Sequence, residues 1–229
     1  MAGTRPAPFR CSGSFERAAR ARGYVRIAGA DEAGRGSLFG PVIAGAVVLD
    51  PARPIRGLKD SKLLQAGERE DLACRIRERA VAWAVAGATV FEIDQLNIHH
   101  ASRLAMRRAI ERLNPPGDFL LVDAVRVDLP VAQLPLIHGD ARCRSIAAAS
   151  ILAKVERDAR LAEWDTVFPE YGLKRHKGYC TPEHRDALER YGPTWLHRLS
   201  FEPVRLLSRL PLGPVQGELF PQVEPEECP

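Results

Sequence analysis

Apolar residues fall in short runs separated by polar, glycine-rich or proline-rich turns, and their spacing distinguishes strands from helices. Residues 24–30, 41–49 and 81–90 read as three strands that most simply form an antiparallel meander. Residues 119–122 are continuously apolar, as expected of a buried parallel strand, and 135–137 form another short strand. Helical spacing runs over 68–80, with Leu72 and Ile76 inward and Arg75, Arg77 and Arg79 outward. A second helix is predicted over 92–113, with Ile98, Ala101, Ala105 and Ala109 on one stripe. The strongest helix covers 144–164. Its first half, 146–153, is apolar on nearly every face and should be buried, its small residues allowing close approach to a sheet. A short helix over 182–191 follows the basic loop at 171–181, YGLKRHKGYCT.

This order of elements indicates an α/β domain, a mixed sheet covered by helices. Around it, 1–22 reads as a flexible basic arm, carrying Arg5, Arg10, Arg17, Arg20 and Arg22 against Glu16. The main domain is expected over 23–208, with 171–208 a helical C-terminal extension. Residues 209–229 are proline-rich and acidic and are expected to be disordered.

Composition narrows the class. With 229 residues and a 45% apolar fraction, the chain has enough material for one domain with a real core. The net charge of +4 fits a polyanionic partner without requiring one, and nearly all the positive charge is arginine. Cys11, Cys74, Cys143, Cys180 and Cys228 form no C-x-x-C pair, which argues against a disulfide framework or zinc site and for a reducing compartment. No apolar run reaches membrane-spanning length. A soluble, cytoplasmic monomer is expected.

Within this frame the carboxylates stand out. Asp31 and Glu32 sit between the first two strands, followed by the turn Gly34-Arg35-Gly36. An acidic surface turn would also produce that pattern, but Asp123 and Asp140 close two further apolar runs. In open α/β sheets, strand carboxyl ends are where ligands bind. Carboxylates converging there, without a histidine or cysteine cluster, favour a hard cation such as Mg²⁺ or Mn²⁺. Two such ions can promote phosphodiester hydrolysis. No dinucleotide-binding, Walker or nucleophile-elbow motif competes.

Seven segments resemble bacterial ribonuclease HII, the type 2 branch of the ribonuclease H family, in family order: GADEAGRGSLFGPV (29–42), DSK (60–62), EIDQLNI (92–98), LVDA (121–124), HGDARCRSIAAASILAKVERD (138–158), YGLKRHKGYCT (171–181) and HRLSFEPV (197–204). The resemblance implies a ribonuclease H-like fold, a five-stranded mixed sheet flanked by helices. It also implies hydrolysis of the RNA strand of RNA–DNA hybrids and cleavage 5′ of ribonucleotides embedded in duplex DNA, leaving a 3′-hydroxyl, a role in ribonucleotide removal. Asp31, Glu32, Asp123 and Asp140 match the catalytic metal-binding carboxylates, for two Mn²⁺ or Mg²⁺ ions. Gly34, Arg35 and Gly36 match the turn whose backbone senses the ribose 2′-hydroxyl. Tyr179 matches the tyrosine that stacks on the sugar after the junction. Ser61, Lys62, Lys177 and His184 are candidate substrate contacts, with Arg144 and Ser145 near the start of the central helix placed to hold an anion.

Three positions depart from the family pattern: Ala124 stands where glycine is usual, Ser37 where proline is common and Leu199 where arginine is common. Alanine allows less backbone freedom, so a local adjustment is expected at 124. Gln216, Leu219 and Phe220 resemble the Q-x-x-L-F peptide that docks on the bacterial sliding clamp. The alternatives are another ribonuclease H-fold nuclease, resolvase-like, or an inactive hybrid-binding module. The glycine turn combined with a tyrosine loop opposes the first, and an intact carboxylate set opposes the second.

Overall fold

The computed structural model describes residues 11–208. Its elements run α1 (Ser14–Ala21), β1 (Ile27–Ala33), β2 (Val42–Val48), α2 (Ala66–Arg79), β3 (Ala82–Ala88), α3 (Val90–Leu96), α4 (Ile98–Glu111), β4 (Phe119–Asp123), β5 (Ala132–Leu136), α5 (Gly139–Arg142), α6 (Arg144–Val167), α7 (Leu173–His176), α8 (Pro182–Tyr191) and α9 (Glu202–Leu207). The strands form one five-stranded sheet in the order β3-β2-β1-β4-β5. β1, β2 and β3 pair antiparallel, while β4 joins β1 and β5 joins β4 in parallel. This is the expected mixed sheet, with the meander as read.

Helices cover both faces of the sheet. Ala101, Ala105, Met106 and Ala109 of α4 pack with Ala28, Ala44, Ala46, Ala84 and Leu120. On the other face, the buried half of α6 packs with α2, bringing Ala147, Ala148 and Ile151 against Leu72 and Ile76. Two glycines admit α6 to the sheet. A Cβ on Gly29 would lie 2.1 Å from the Ser145 carbonyl carbon, and one on Gly45 would lie 2.4 Å from Ala149 O. α7, α8 and α9 build a separate apolar cluster around Phe39, Tyr171, Leu188 and Val204.

Several expectations need correction. The arm expected over 1–22 is helical at Ser14–Ala21, because Phe15 and Ala19 pack with Ile27, Phe119, Leu121 and Ile146. β1 extends through Asp31 and Glu32, which pair with Gly45 and Ala44 of β2, so these carboxylates lie in the strand and not in a turn. The expected 92–113 helix breaks at Asn97, whose φ of 67° leaves the helical region and whose side chain accepts from His99 N and His100 N to cap α4. β5 begins three residues earlier than read, at Ala132, and as an edge strand it shows weak alternation. Asp140 lies in the one-turn α5, after His138 in the left-handed region, and does not end a strand.

Candidate active site

The sheet delivers the carboxylates to one place. Asp31 and Glu32 come from β1 and Asp123 from the end of β4, the parallel neighbour of β1. Asp140 comes from α5. All line a cleft of ≈ 270 Å³ with Gly34, Arg35, Gly36, Ser61, Lys62, Ser150, Lys154 and Tyr179. Asp31 and Asp140 are buried, at 5% and 6% exposure.

Hydrogen bonds orient each acid. Asp31 Oδ1 accepts from Glu32 N at 2.7 Å, Asp123 Oδ1 from Gly139 N at 2.7 Å, and Asp140 Oδ1 from Ala141 N at 2.9 Å. Arg35 Nη1 donates to Glu32 Oε1 at 3.2 Å, and Lys62 Nζ to Asp140 Oδ2 at 3.4 Å. Burial, then repulsion from Glu32 and Asp123, raises the Asp31 carboxyl well above the ordinary range, and the Ser150 hydroxyl opposes this only in part. Burial also raises Glu32, with Asp123 adding to the shift and Arg35 opposing it. Asp123 is raised by burial and by Asp140, against the Gly139 amide. Burial pulls the Lys62 ammonium down, but Asp140, Asp60 and Asp31 outweigh it and hold it above its ordinary value.

Crowded acids with raised pKa values form a site short of positive charge. The oxygen-only donor set fits a hard divalent cation. Among the described residues no three His, Cys, Asp or Glu side chains are gathered tightly enough to hold an ion as they stand.

The glycine turn borders the carboxylates. Gly34 has a φ of 92°, and a Cβ there would lie 2.0 Å from Arg157 Nε, so only glycine fits. Tyr179 stands opposite, 41% exposed, with its Cε1 atom 3.9 Å from where a Gly36 Cβ would be. Tyr179 forms an antiparallel bridge with Ser37, and Leu38 N donates to Gly178 O at 2.8 Å. The Ser37 hydroxyl donates to Gly178 O at 2.9 Å, so the serine in the usual proline position ties the turn to the tyrosine loop.

Four sequence-derived contacts fall elsewhere. Ser145 is fully buried, and its amide and hydroxyl both donate to Glu16 Oε1, at 2.8 and 2.9 Å. Arg144 donates to Ile55 O and lines a separate cavity with Arg17, Arg20 and Arg53. Lys177 borders a neighbouring groove between α2 and α6, with Arg69 and Lys174. His184 is fully buried behind Tyr179: its Nδ1 donates to Tyr179 O at 3.0 Å, and its Nε2 lies 3.1 Å from His197 Nε2. Ser61 and Lys62 do line the cleft. Helix α6, and not ligand spacing, sets the positions of 144 and 145.

Conversely, the sequence reading missed Ser150, Arg157 and Arg198. Ser150 is a lone hydroxyl in an alanine-rich buried helix, and its Oγ lies 2.9 Å from that of Ser61. Arg157 and Arg198 are almost wholly buried, at 2% and 0% exposure, which for arginine demands a specific partner. Both fall within the quoted motifs, but nothing in the sequence marks them as buried. Leu199, standing where arginine is common, donates its amide to Asp94 Oδ2 at 3.0 Å and leaves its side chain half exposed.

The ribonuclease HII family profile matches residues 28–204. A ribonuclease HII of Solibacter usitatus is 62% identical over 212 residues, 91% of this chain and 93% of that protein. One of Koribacter versatilis is 54% identical, covering 87% of this chain and 79% of that protein. The crystal structure of ribonuclease H2 from Pyrococcus horikoshii superposes with a TM-score of 0.69 at 27% identity, covering 80% of this chain and 97% of that one. Ribonuclease HII of Archaeoglobus fulgidus, solved in complex with PCNA, gives a TM-score of 0.67 at 27% identity, covering 81% and 98%. With a profile spanning most of the chain and such similar relatives, the chain belongs to the ribonuclease HII family.

Proposed function

We propose that this chain is an endoribonuclease that hydrolyses the RNA strand of RNA–DNA hybrids and cuts 5′ of ribonucleotides embedded in duplex DNA, leaving a 3′-hydroxyl. The observation that carries this reading is one cleft lined both by Asp31, Glu32, Asp123 and Asp140 and by Gly34, Arg35, Gly36 and Tyr179. The first group supplies chemistry and the second supplies substrate choice.

Asp31, Glu32, Asp123 and Asp140 would hold Mg²⁺ or Mn²⁺. Bound divalent ions activate a water and stabilise the leaving oxygen of a phosphodiester. The protein's own contribution is positioning. Backbone groups of Gly34-Arg35-Gly36 meet the ribose 2′-hydroxyl, which is present in RNA and absent from DNA. Tyr179 offers its ring face to the sugar that follows the cut. Lys62 and Ser61 take phosphate oxygens, Lys62 being held charged by Asp140 beside it. Glu32 stays oriented through Arg35, whose Nη2 also lies 2.9 Å from His99 Nδ1.

Cleavage-site mapping on a duplex containing one ribonucleotide tests this. A single cut on its 5′ side, dependent on Mg²⁺ or Mn²⁺, is expected. Cleavage of duplex DNA lacking ribose would overturn the reading in favour of a resolvase-like nuclease. Binding without cleavage in either metal would identify a hybrid-binding module.

The clamp-docking pattern at Gln216, Leu219 and Phe220 lies outside the described residues. The PCNA complex of the Archaeoglobus fulgidus relative supports proposing a sliding clamp as a partner. Deleting 211–229 should abolish clamp pull-down, and unchanged association would remove the proposal.

A further inference from the structure

The Gly34-Arg35-Gly36 turn can select ribose only if its backbone is held in one shape, because the energy separating a substrate with a hydroxyl from one without it is that of a correctly placed hydrogen bond. Within the turn itself little does this: the backbone bond that closes it, Ser37 N to Gly34 O, is long at 3.4 Å. Further constraint comes from 158–164 residues along the chain. Arg198, fully buried, donates from Nη2 to Gly34 O at 2.8 Å, from Nη1 to Arg35 O at 2.8 Å and from Nε to Gly40 O at 2.9 Å. One planar guanidinium therefore grips three carbonyls across the turn, a fork geometry that lysine cannot reproduce.

Arg198 is itself well anchored. Its backbone amide donates to Leu38 O at 2.9 Å, and Phe39 bridges His197. Its Cζ lies 5.1 Å from the Phe201 ring centroid. A second buried guanidinium completes the support. Arg157 fills the space beneath Gly34, donates from Nη2 to Lys177 O at 3.0 Å and lies 5.7 Å from the centre of the Tyr179 ring.

We infer that Arg198 is a positioning residue for ribose recognition: by holding the Gly34 and Arg35 carbonyls it fixes the turn that distinguishes RNA from DNA. This rests on the ribonuclease reading given above. Arg198 does not line the carboxylate cleft. Its loss should therefore lower discrimination between ribose and deoxyribose while leaving general affinity for duplex in place.

The experiment measures binding of the full chain, in Ca²⁺ to prevent cleavage, to two duplexes that differ only in one ribonucleotide. Wild type is expected to prefer the ribonucleotide duplex. If wild type shows no preference, the underlying ribonuclease reading fails and this inference falls with it. In Arg198→Lys the preference should drop to within about twofold of unity, with all-DNA affinity changed by less than about twofold. An unchanged preference, or an equal loss on both duplexes, would overturn the positioning role. Amide exchange in wild type gives a second measurement if Arg198→Lys does not fold. The amides of Ser37 and Arg198 should have protection factors within about threefold of each other, as parts of one opening unit. A Ser37 amide less protected than that of Arg198 by more than about threefold would show that Arg198 does not hold the turn, and would sink the inference.

Discussion

Replacing Ala124 with glycine should stabilise the protein. Ala124 follows Asp123 at the end of β4 with a φ of 52°, in the left-handed region where a Cβ crowds the following carbonyl. Its backbone is held there: Ala124 N donates to Leu136 O at 3.0 Å and Val125 N to Asp123 O at 2.6 Å. The side chain is exposed, so removing its methyl forfeits little packing. The left-handed conformation costs a non-glycine residue roughly 1–2 kcal/mol. Glycine adds unfolded-state entropy that offsets about 0.4–1 kcal/mol of that relief. The net gain lies between about 0 and 1.6 kcal/mol, centred near 0.8 kcal/mol, or roughly 2–3 °C in Tm at that centre for a domain of this size. Ala124→Val supplies the opposite sign, because a β-branched residue fits this region worse. Thermal melts of the three proteins, followed by circular dichroism in metal-free buffer, provide the assay. A glycine variant that melts below wild type would refute the strain reasoning, and so would a valine variant that melts above it.

Three further outcomes follow from the site. Asp31→Asn should reduce cleavage to background while raising the metal-free melting temperature, by about 2–4 °C for each kcal/mol of carboxylate repulsion relieved; retained cleavage, or a lower melting temperature, would contradict the crowded-acid description. Tyr179→Ala should reduce cleavage at a single embedded ribonucleotide on the order of tenfold, about 1.4 kcal/mol in transition-state stabilisation, with less effect on a continuous hybrid; equal rates on the former would remove the tyrosine from recognition. The third outcome concerns pH. Thr194 N donates to His197 Nδ1, so the neutral His197 ring presents Nε2–H to His184 Nε2. Burial lowers His184 to about 4 and His197 to about 3. The unfolded histidines, near 6.5, bind protons first, so these two contribute stability that is complete above about pH 6.5 and lost as pH falls toward 4 and 3. His184→Asn/His197→Asn should flatten the dependence of Tm on pH between 6.5 and 4.5, and an unchanged slope would refute it.

Buried-position patterning made much of this protein legible from its residues. β1 and its antiparallel partner β2, the apolar run of β4 that leads to Asp123 and the first half of α6 each bury their faces, so period and composition agree with the final structure. Where an element is half exposed or interrupted the agreement weakens. β5 is an edge strand, α4 starts afresh at a positive-φ asparagine, and α1 depends on a small apolar contact that a charge count cannot detect. Asp31, Glu32, Asp123 and Asp140 were identifiable because acids beside apolar runs are conspicuous. Their meeting in one cleft depends on β1 and β4 being parallel neighbours, a pairing made across 92 residues. The fates of Ser145 and His184, and the roles of Arg157 and Arg198, were not legible, since a side chain's burial and its partners are properties of the packed interior. The residues alone supplied the acids and the glycine turn. Packing brought them to one cleft, and a guanidinium on the far side of the chain holds that turn in shape.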